Sequence, residues 1–107
     1  MTTGTLQALA TRVYVPDNIL GGYYFRLTPS QARIMATFDE HCDMTDYQLG
    51  YAYRLTNGIL DQSWSGLRTR RSELVDMGAI VQKGVAKNEN GRTVKVWGLA
   101  SGTFLQF

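Results

Sequence analysis

Two helix-starting signals in the first half of the chain constrain its fold more than any other feature. Thr28-Pro29-Ser30-Gln31 and Thr45-Asp46-Tyr47-Gln48 both have the form of a capping box, in which threonine and glutamine side chains satisfy free N–H groups at a helix start. Pro29 strengthens the first signal, because the first helical position needs no N–H. Apolar residues then recur at helical spacing, which predicts one helix from residue 28 to about 41 and a second from 45 to 57.

A third helix and a hairpin are predicted after these two helices. Ser63 and Ser65 are capping residues, and Gly78 suits the left-handed conformation that closes many helices. Strand-like segments at 79–83 and 93–99 flank Asn90-Gly91, a dipeptide that favours hairpin turns because both residues tolerate positive φ. The sequence therefore predicts an α+β fold, with three helices followed by a C-terminal β-hairpin.

The hairpin register follows from the position of the turn. If Lys87 faces Arg92, then Gly84 faces Lys95 and Ile80 faces Leu99. Trp97 would then lie near the base of the hairpin, where the sheet meets the helices.

The segments outside residues 28–99 are predicted to be accessory to this domain. Residues 1–27 form an N-terminal arm with extended segments around Val13-Tyr14-Val15 and 23–27, and residues 100–107 form an apolar tail. The tail is expected to pack against the arm or the first helix. The apolar residues of the arm need a partner, which is either the domain's own back face or a second subunit in a homodimer.

Length and composition indicate one ordinary folded domain. The chain has 107 residues, 44% of them hydrophobic, and no apolar run approaches the ~20 residues of a membrane helix. The N-terminus lacks the basic and apolar regions of a secretory signal. Cys42 is the only cysteine and cannot form an internal disulfide, which fits a reducing compartment. We therefore expect a cytoplasmic protein, in the host cytoplasm if it is encoded by a phage.

Charge is distributed unevenly along the chain. The net charge is only +2, but residues 64–107 contain seven lysines and arginines against three acids. Residues 28–63 have a net charge of −3 by the same count. This asymmetry places the positive end on the third helix and the hairpin, which is a clue to binding of an anionic partner.

The segments 45–49, 65–74 and 78–80 together resemble winged helix-turn-helix domains. They are similar to small winged-helix domains in bacterial regulators of the MarR-like type and in bacteriophage proteins, and the resemblance covers about residues 28–99. It implies that the third helix enters the major groove of DNA. The hairpin, called the wing, would touch the backbone or the minor groove.

The resemblance also implies which residues contact DNA. Exposed polar and basic positions of the third helix and the wing make up the candidate set: Ser65, Arg68, Thr69, Arg70, Ser72, Lys87, Arg92 and Lys95. Arginine can bridge two acceptors on guanine or two phosphate oxygens, and hydroxyl groups can bind phosphate. The competing interpretation is a solvated helix face and a hairpin kept soluble by its charges. Arg71 projects toward the apolar side and is expected to pair with an acid such as Asp46.

Other chemistry is not supported by the sequence. Asp39-Glu40-His41-Cys42-Asp43 contains metal-ligand types, but the residues are consecutive and no second His or Cys exists to complete a site. A lone His next to a lone Cys does not make a nucleophile–base pair, and no phosphate-binding glycine loop is present. We therefore predict no metal, no cofactor and no enzymatic activity.

Two functions remain open. The first is a double-stranded DNA-binding protein of bacterial or phage type, acting as a transcriptional regulator or as a recombination or replication accessory factor. The alternative is a winged-helix module that docks on a host or phage protein. The low net charge and a Tyr47/Tyr51 pair on the outer side of the second helix favour this alternative.

Overall fold

A computed structural model describes residues 9–17, 21–57 and 63–107. In these residues the chain is a small α+β domain with antiparallel sheets. The helices are α1 (Pro29–His41), α2 (Asp46–Asn57) and α3 (Trp64–Asp76). The strands are β1 (Arg12–Asp17), β2 (Gly21–Arg26), β3 (Ile80–Lys87), β4 (Thr93–Leu99) and β5 (Phe104–Gln106). Parts of the predicted arm and of the connection between α2 and α3 lie outside the described residues.

Both predicted capping boxes are confirmed. Thr28 N–H donates to Gln31 Oε1 over 3.0 Å, and Gln31 N–H donates to Thr28 Oγ1 over 3.2 Å. Thr45 and Gln48 make the same two bonds, at 3.0 and 3.2 Å. Each box satisfies two N–H groups that have no partner within the helix. The starts of α1 and α2 are thus fixed locally.

One hydrophobic core joins the helices to both sheets. The helices each bury one apolar face in it, and the strands add side chains from their inner faces; its largest fully buried members are Tyr53, Phe38, Ile34, Met35, Leu49, Leu67, Leu74, Ile80 and Val13. Of the helices in the described part of the chain, none has the length and apolar character needed to cross a bilayer.

The N-terminal arm and the C-terminal tail form one sheet of three strands in the order β2-β1-β5. β1 is the central strand and pairs antiparallel with both neighbours. Val13 and Val15 point into the core, so this sheet covers one side of the helical domain. The predicted packing of the tail against the arm is confirmed, and the arm finds a partner within its own chain. A homodimer through these segments stays a prediction.

The β3–β4 hairpin has a register that differs from the predicted one. Ile80 faces Leu99 as expected, but a bulge between Gln82 and Gly84 inserts one extra residue into β3. The pairs beyond the bulge are shifted by one residue: Gly84 faces Val96 and Lys87 faces Thr93, rather than Lys95 and Arg92. The prediction was wrong because it assumed unbroken pairing, whereas a bulge leaves one residue unpaired.

The turn of the hairpin spans more residues than the predicted Asn-Gly turn. Asn88 N–H donates to the Arg92 carbonyl over 2.9 Å, and the Asn88 side chain accepts from the N–H groups of Asn90 and Arg92, each at 3.0 Å. Gly91 adopts a φ of 78°, but Asn90 does not have positive φ. The Asn88 side chain therefore organises a wider loop around a single left-handed glycine.

The base of the hairpin is fixed to the helical part by backbone hydrogen bonds. Met44, in the link between α1 and α2, exchanges two bonds of 2.8 Å with Trp97 of β4. Ala100 N–H donates to the Ala79 carbonyl over 2.9 Å. These bonds set how the hairpin lies beside α3.

Candidate functional site

α3 is held in the domain by one face, which leaves its opposite face in solvent. The Ser63 hydroxyl caps its start by accepting from Gly66 N–H over 3.0 Å. Leu67 and Leu74, two helical turns apart, are both buried in the core. Gly78 follows with a φ of 83°, the left-handed conformation expected of it.

Four predicted DNA-contact residues share the outer face of α3. Ser65, Arg68, Thr69 and Ser72 are all exposed and recur at intervals of three and four residues, so they form one continuous row. We call these four residues the α3 outer row. They line a shallow depression that Glu73 and Asp76 also border. The prediction that these residues lie together on an exposed face is confirmed.

The chemistry of the α3 outer row changes along the helix. Arg68 makes no ion pair with any residue that the structure describes, so its guanidinium is available to a ligand. The Thr69 hydroxyl donates to the Ser65 carbonyl over 3.0 Å, which leaves its oxygen as an acceptor. Asp76 lies one turn beyond Ser72 and is exposed. Because the helix N-terminus carries partial positive charge and Asp76 is negative, an anionic ligand is favoured at the N-terminal half.

Arg70 is less available than the sequence indicated. Its side chain is only 33% exposed, and its Nε lies 2.8 Å from Glu73 Oε1. The N–H does not point at this oxygen, so the contact is an ion pair rather than an aligned hydrogen bond. Glu73 also accepts from Gln31 Nε2 over 3.0 Å, which ties it to α1. Arg70 thus has a partner inside the domain, on a different side of α3 from the outer row.

Arg71 joins α3 to α2 and to the hairpin. Its Nε donates to Asp46 Oδ1 over 2.9 Å and its Nη2 to Asp46 Oδ2 over 2.7 Å, a bidentate pair. The guanidinium also lies 4.1 Å from the centre of the Trp97 ring. The predicted pairing with Asp46 is confirmed. Arg71 is therefore a structural residue at the junction of α2, α3 and β4.

The three predicted hairpin cations are all exposed but lie at different positions along the β3–β4 hairpin. Lys95 lies opposite Val85 within β4, and its Nζ is 5.7 Å from the centre of the Trp97 ring. Lys87 ends β3 and Arg92 closes the turn at the far end. Glu89, also exposed, is the acid between them. Two of these three cations thus lie at the tip of the hairpin and one lies between the tip and Trp97, while Lys83 of β3 is a further exposed cation of the hairpin.

An exposed aromatic cluster on α2 and α3 was not predicted as a unit. A helical projection places Trp64 on the apolar side of α3 and so predicts a core position, but Trp64 is 38% exposed and its ring stacks on Tyr47 at 5.8 Å between ring centres. Tyr51 contacts the same ring edge-on at 6.3 Å, and the Arg54 guanidinium lies 4.0 Å from its centre. A Cβ atom at Gly50 would overlap the Trp64 ring. A glycine inside a predicted helix was the sequence signal for this close approach.

Tyr47 and Tyr51 form a hydrogen-bonded pair within this cluster. The Tyr47 hydroxyl donates to the Tyr51 oxygen over 3.3 Å, and loss of this bond on ionisation raises the pKa of Tyr47 above its ordinary value of about 10. The repulsion of an ionised Tyr51 and, more weakly, the charge of Glu89 raise it further.

We expect Tyr51→Phe to lower the pKa of Tyr47 toward 10, because it removes the acceptor of this hydrogen bond. The stabilising effect of the bond is fully present below pH 10 and is lost as the pH rises through the raised pKa. Absorbance at the tyrosinate band, titrated in Tyr51→Phe and in a control variant of the exposed Tyr23, Tyr23→Phe, measures this shift. An unchanged Tyr47 titration in Tyr51→Phe would contradict the role assigned to the bond.

No group of three or more His, Cys, Asp or Glu side chains converges on a metal-binding arrangement in the ranges that the structure describes.

In comparisons with protein-family models, with curated protein sequences and with solved structures, no significant match to this chain was found.

Proposed function

We propose that the chain is a double-stranded DNA-binding protein of the winged helix-turn-helix type. In this proposal α3 enters the major groove and the β3–β4 hairpin is the wing. The observation that carries it is the α3 outer row, whose four residues are exposed, polar or basic, and at helical spacing. One of the four, Arg68, forms no ion pair with a described acid. The process served is transcriptional regulation, or recombination or replication, in a bacterium or a phage.

The α3 outer row has the chemistry that base edges and phosphates require. The Arg68 guanidinium can donate two parallel hydrogen bonds to guanine in the major groove. Ser65 lies in the first turn of α3, where free N–H groups and a hydroxyl suit a phosphate oxygen. Helix-turn-helix proteins place the N-terminal part of the recognition helix closest to the bases. The exposed Asp76 at the other end of α3 is consistent with that orientation.

The wing would contribute sequence-independent contacts. Lys87 and Arg92 at its tip can each neutralise one phosphate. Lys95, held beside Trp97, would lie closer to α3 and to the groove. These three cations are part of the seven lysines and arginines that make residues 64–107 the positive end of the chain.

We expect Arg68→Ala to weaken binding to a duplex by roughly tenfold or more, since one bidentate base contact is worth about 1–3 kcal/mol. The matched control is Arg70→Ala in the same helix, which should change affinity by less than about threefold because Arg70 already pairs with Glu73. Fluorescence anisotropy at low salt, with the duplex that the wild type binds best from a random pool, measures both variants. Equal affinity of Arg68→Ala and the wild type would refute the proposed reading face.

A protein-docking module is the second candidate, and the aromatic cluster of Tyr47, Tyr51 and Trp64 is the observation that favours it. Exposed aromatic side chains beside an arginine are typical anchors at protein interfaces. Capture from nuclease-treated host lysate by the wild type, compared with Tyr51→Ala, tests this candidate. Partners that survive nuclease and are lost with Tyr51→Ala would support it; an unchanged set of captured proteins would refute it.

A further inference from the structure

The outer face of the β2-β1-β5 sheet carries a row of three aromatic rings. Tyr14 of β1 lies directly opposite Tyr24 of β2 and Phe104 of β5. The Tyr14 ring stacks on Phe104 at 4.9 Å between ring centres and meets Tyr24 edge-on at 5.1 Å. Tyr24 is 54% exposed and Phe104 is 49% exposed. We call these three residues the aromatic row.

The aromatic row does not belong to the hydrophobic core. Successive side chains of a strand point to opposite faces of a sheet, and the core face of β1 is formed by Val13 and Val15. The aromatic row therefore lies on the face away from the helices. Packing in the core does not account for three aromatic side chains on a solvent-facing surface. A contiguous exposed apolar patch of this kind is typical of a surface that binds a partner.

The central ring of the row is held in place before any partner binds. Gly22 of β2 lies under the Tyr14 ring, and a Cβ atom there would overlap the ring. The ring is thus confined by the strand beneath it and by an aromatic neighbour on each side. A surface ordered in this way loses little conformational entropy on binding.

Arginines stand beside the aromatic row on the same face. Arg12 lies directly opposite Arg26 on one side and Gln106 on the other, two residues along the strands from the rings. That step is about 7 Å, within reach of a phosphate attached to a base stacked on a ring. Both arginines are exposed, and neither has an ion pair with a described residue. Like charges directly across a sheet are unfavourable, so an anion placed between them would stabilise the pair.

We propose that this sheet face binds a single-stranded segment of nucleic acid, with bases stacked on the aromatic row and phosphates on Arg12 and Arg26. Stacking on sheet aromatics beside basic groups is a general mode of single-strand recognition. A second copy of the chain fits the face less well, because the described charges on it are all positive and would face each other. The proposal stands independently of the α3 outer row, which lies on a different element.

The test is binding of a fluorescein-labelled oligo-dT of about 15 nucleotides, a length in the range that one stacking domain covers. Tyr24→Leu and Phe104→Leu should each weaken binding by roughly tenfold, since leucine is apolar but offers no ring face. Tyr24→Phe and Phe104→Tyr keep the ring and should bind like the wild type. Both positions are about half exposed, so circular dichroism should show the same folded state in all four variants.

Two further variants test whether oligo-dT binds at the aromatic row rather than at another surface of the chain. Tyr47→Leu removes an exposed ring on α2 and should leave oligo-dT binding unchanged. Arg68→Ala should also leave it unchanged while it weakens duplex binding, so failure of one proposal is distinguishable from failure of the other. The inference is overturned if the wild type does not bind oligo-dT or if the leucine variants bind it equally well. It is also overturned if those variants only convert a dimer to a monomer in sedimentation, since a second copy would then occupy the face.

Discussion

Arg71→Ala is expected to lower the free energy of unfolding by about 2–3 kcal/mol. The change removes two charge-assisted hydrogen bonds to Asp46 and leaves that carboxylate, which is 28% exposed, without its partner. It also removes the guanidinium from the Trp97 ring. Because Asp46 keeps some contact with water, the loss is smaller than for a fully buried pair. Urea denaturation followed by circular dichroism measures it.

Arg70→Ala is the matched control for this prediction. Its pair with Glu73 joins residues three apart on one helix and is partly exposed, so its removal should cost less than about 1 kcal/mol. In the double variant Arg71→Ala with Asp46→Ala, part of the lost stability should return, because no unpaired carboxylate remains. Equal losses for Arg71→Ala and Arg70→Ala would show that Arg71 does not hold the junction together.

Trp97→Ala is expected to have a still larger effect, about 3–5 kcal/mol, because it empties the space of a large buried side chain. The Trp97 backbone forms the bridge to Met44, and its ring is the surface on which Arg71 packs. Loss of the ring should therefore also loosen the hairpin from the helices. Urea denaturation gives the first effect, and amide hydrogen exchange at Met44 gives the second as faster exchange.

Trp97→Phe keeps an aromatic ring in place. Its loss in the free energy of unfolding should therefore be less than half of the loss in Trp97→Ala. The exchange rate at Met44 should stay close to that of the wild type in this variant. If Trp97→Ala left the Met44 amide as protected as before, the hairpin would not depend on this contact for its position. The position of the β3–β4 hairpin relative to α3 would then need another cause.

Local signals in the sequence predicted the helices because their causes lie within a few residues. The capping boxes at Thr28 and Thr45 involve side chains three residues apart, and the structure contains their bonds as expected. The pairing of Arg71 with Asp46 could be predicted because a helical projection directs Arg71 inward and the inward face required an acid. The α3 outer row follows from the same projection.

Features that depend on contacts between distant segments were not predictable in the same way. The bulge before Gly84 shifts the register of β3; a glycine inside a strand can mark a bulge, but the alternating pattern does not show which register results. The Trp64 ring lies against Gly50 of α2 rather than in the core, and this contact between two helices is not visible in the pattern of α3. The aromatic row arises only when β1 pairs with β2 and with β5, at the two ends of the chain. The ion pair of Arg70 with Glu73 depends on the position of Glu73, which Gln31 of α1 holds by a hydrogen bond, and the pattern of α3 alone does not show it.

The central claim is that α3 and the wing bind double-stranded DNA, and a salt titration of duplex binding tests it most directly. If Lys87, Arg92 and Lys95 each neutralise one phosphate, the logarithm of the binding constant should fall with the logarithm of salt concentration with a slope of about −3. Arg92→Ala should make that slope shallower by about one unit. A random pool of duplexes that fails to bind at low salt, or a slope near zero that Arg92→Ala leaves unchanged, would contradict the claim.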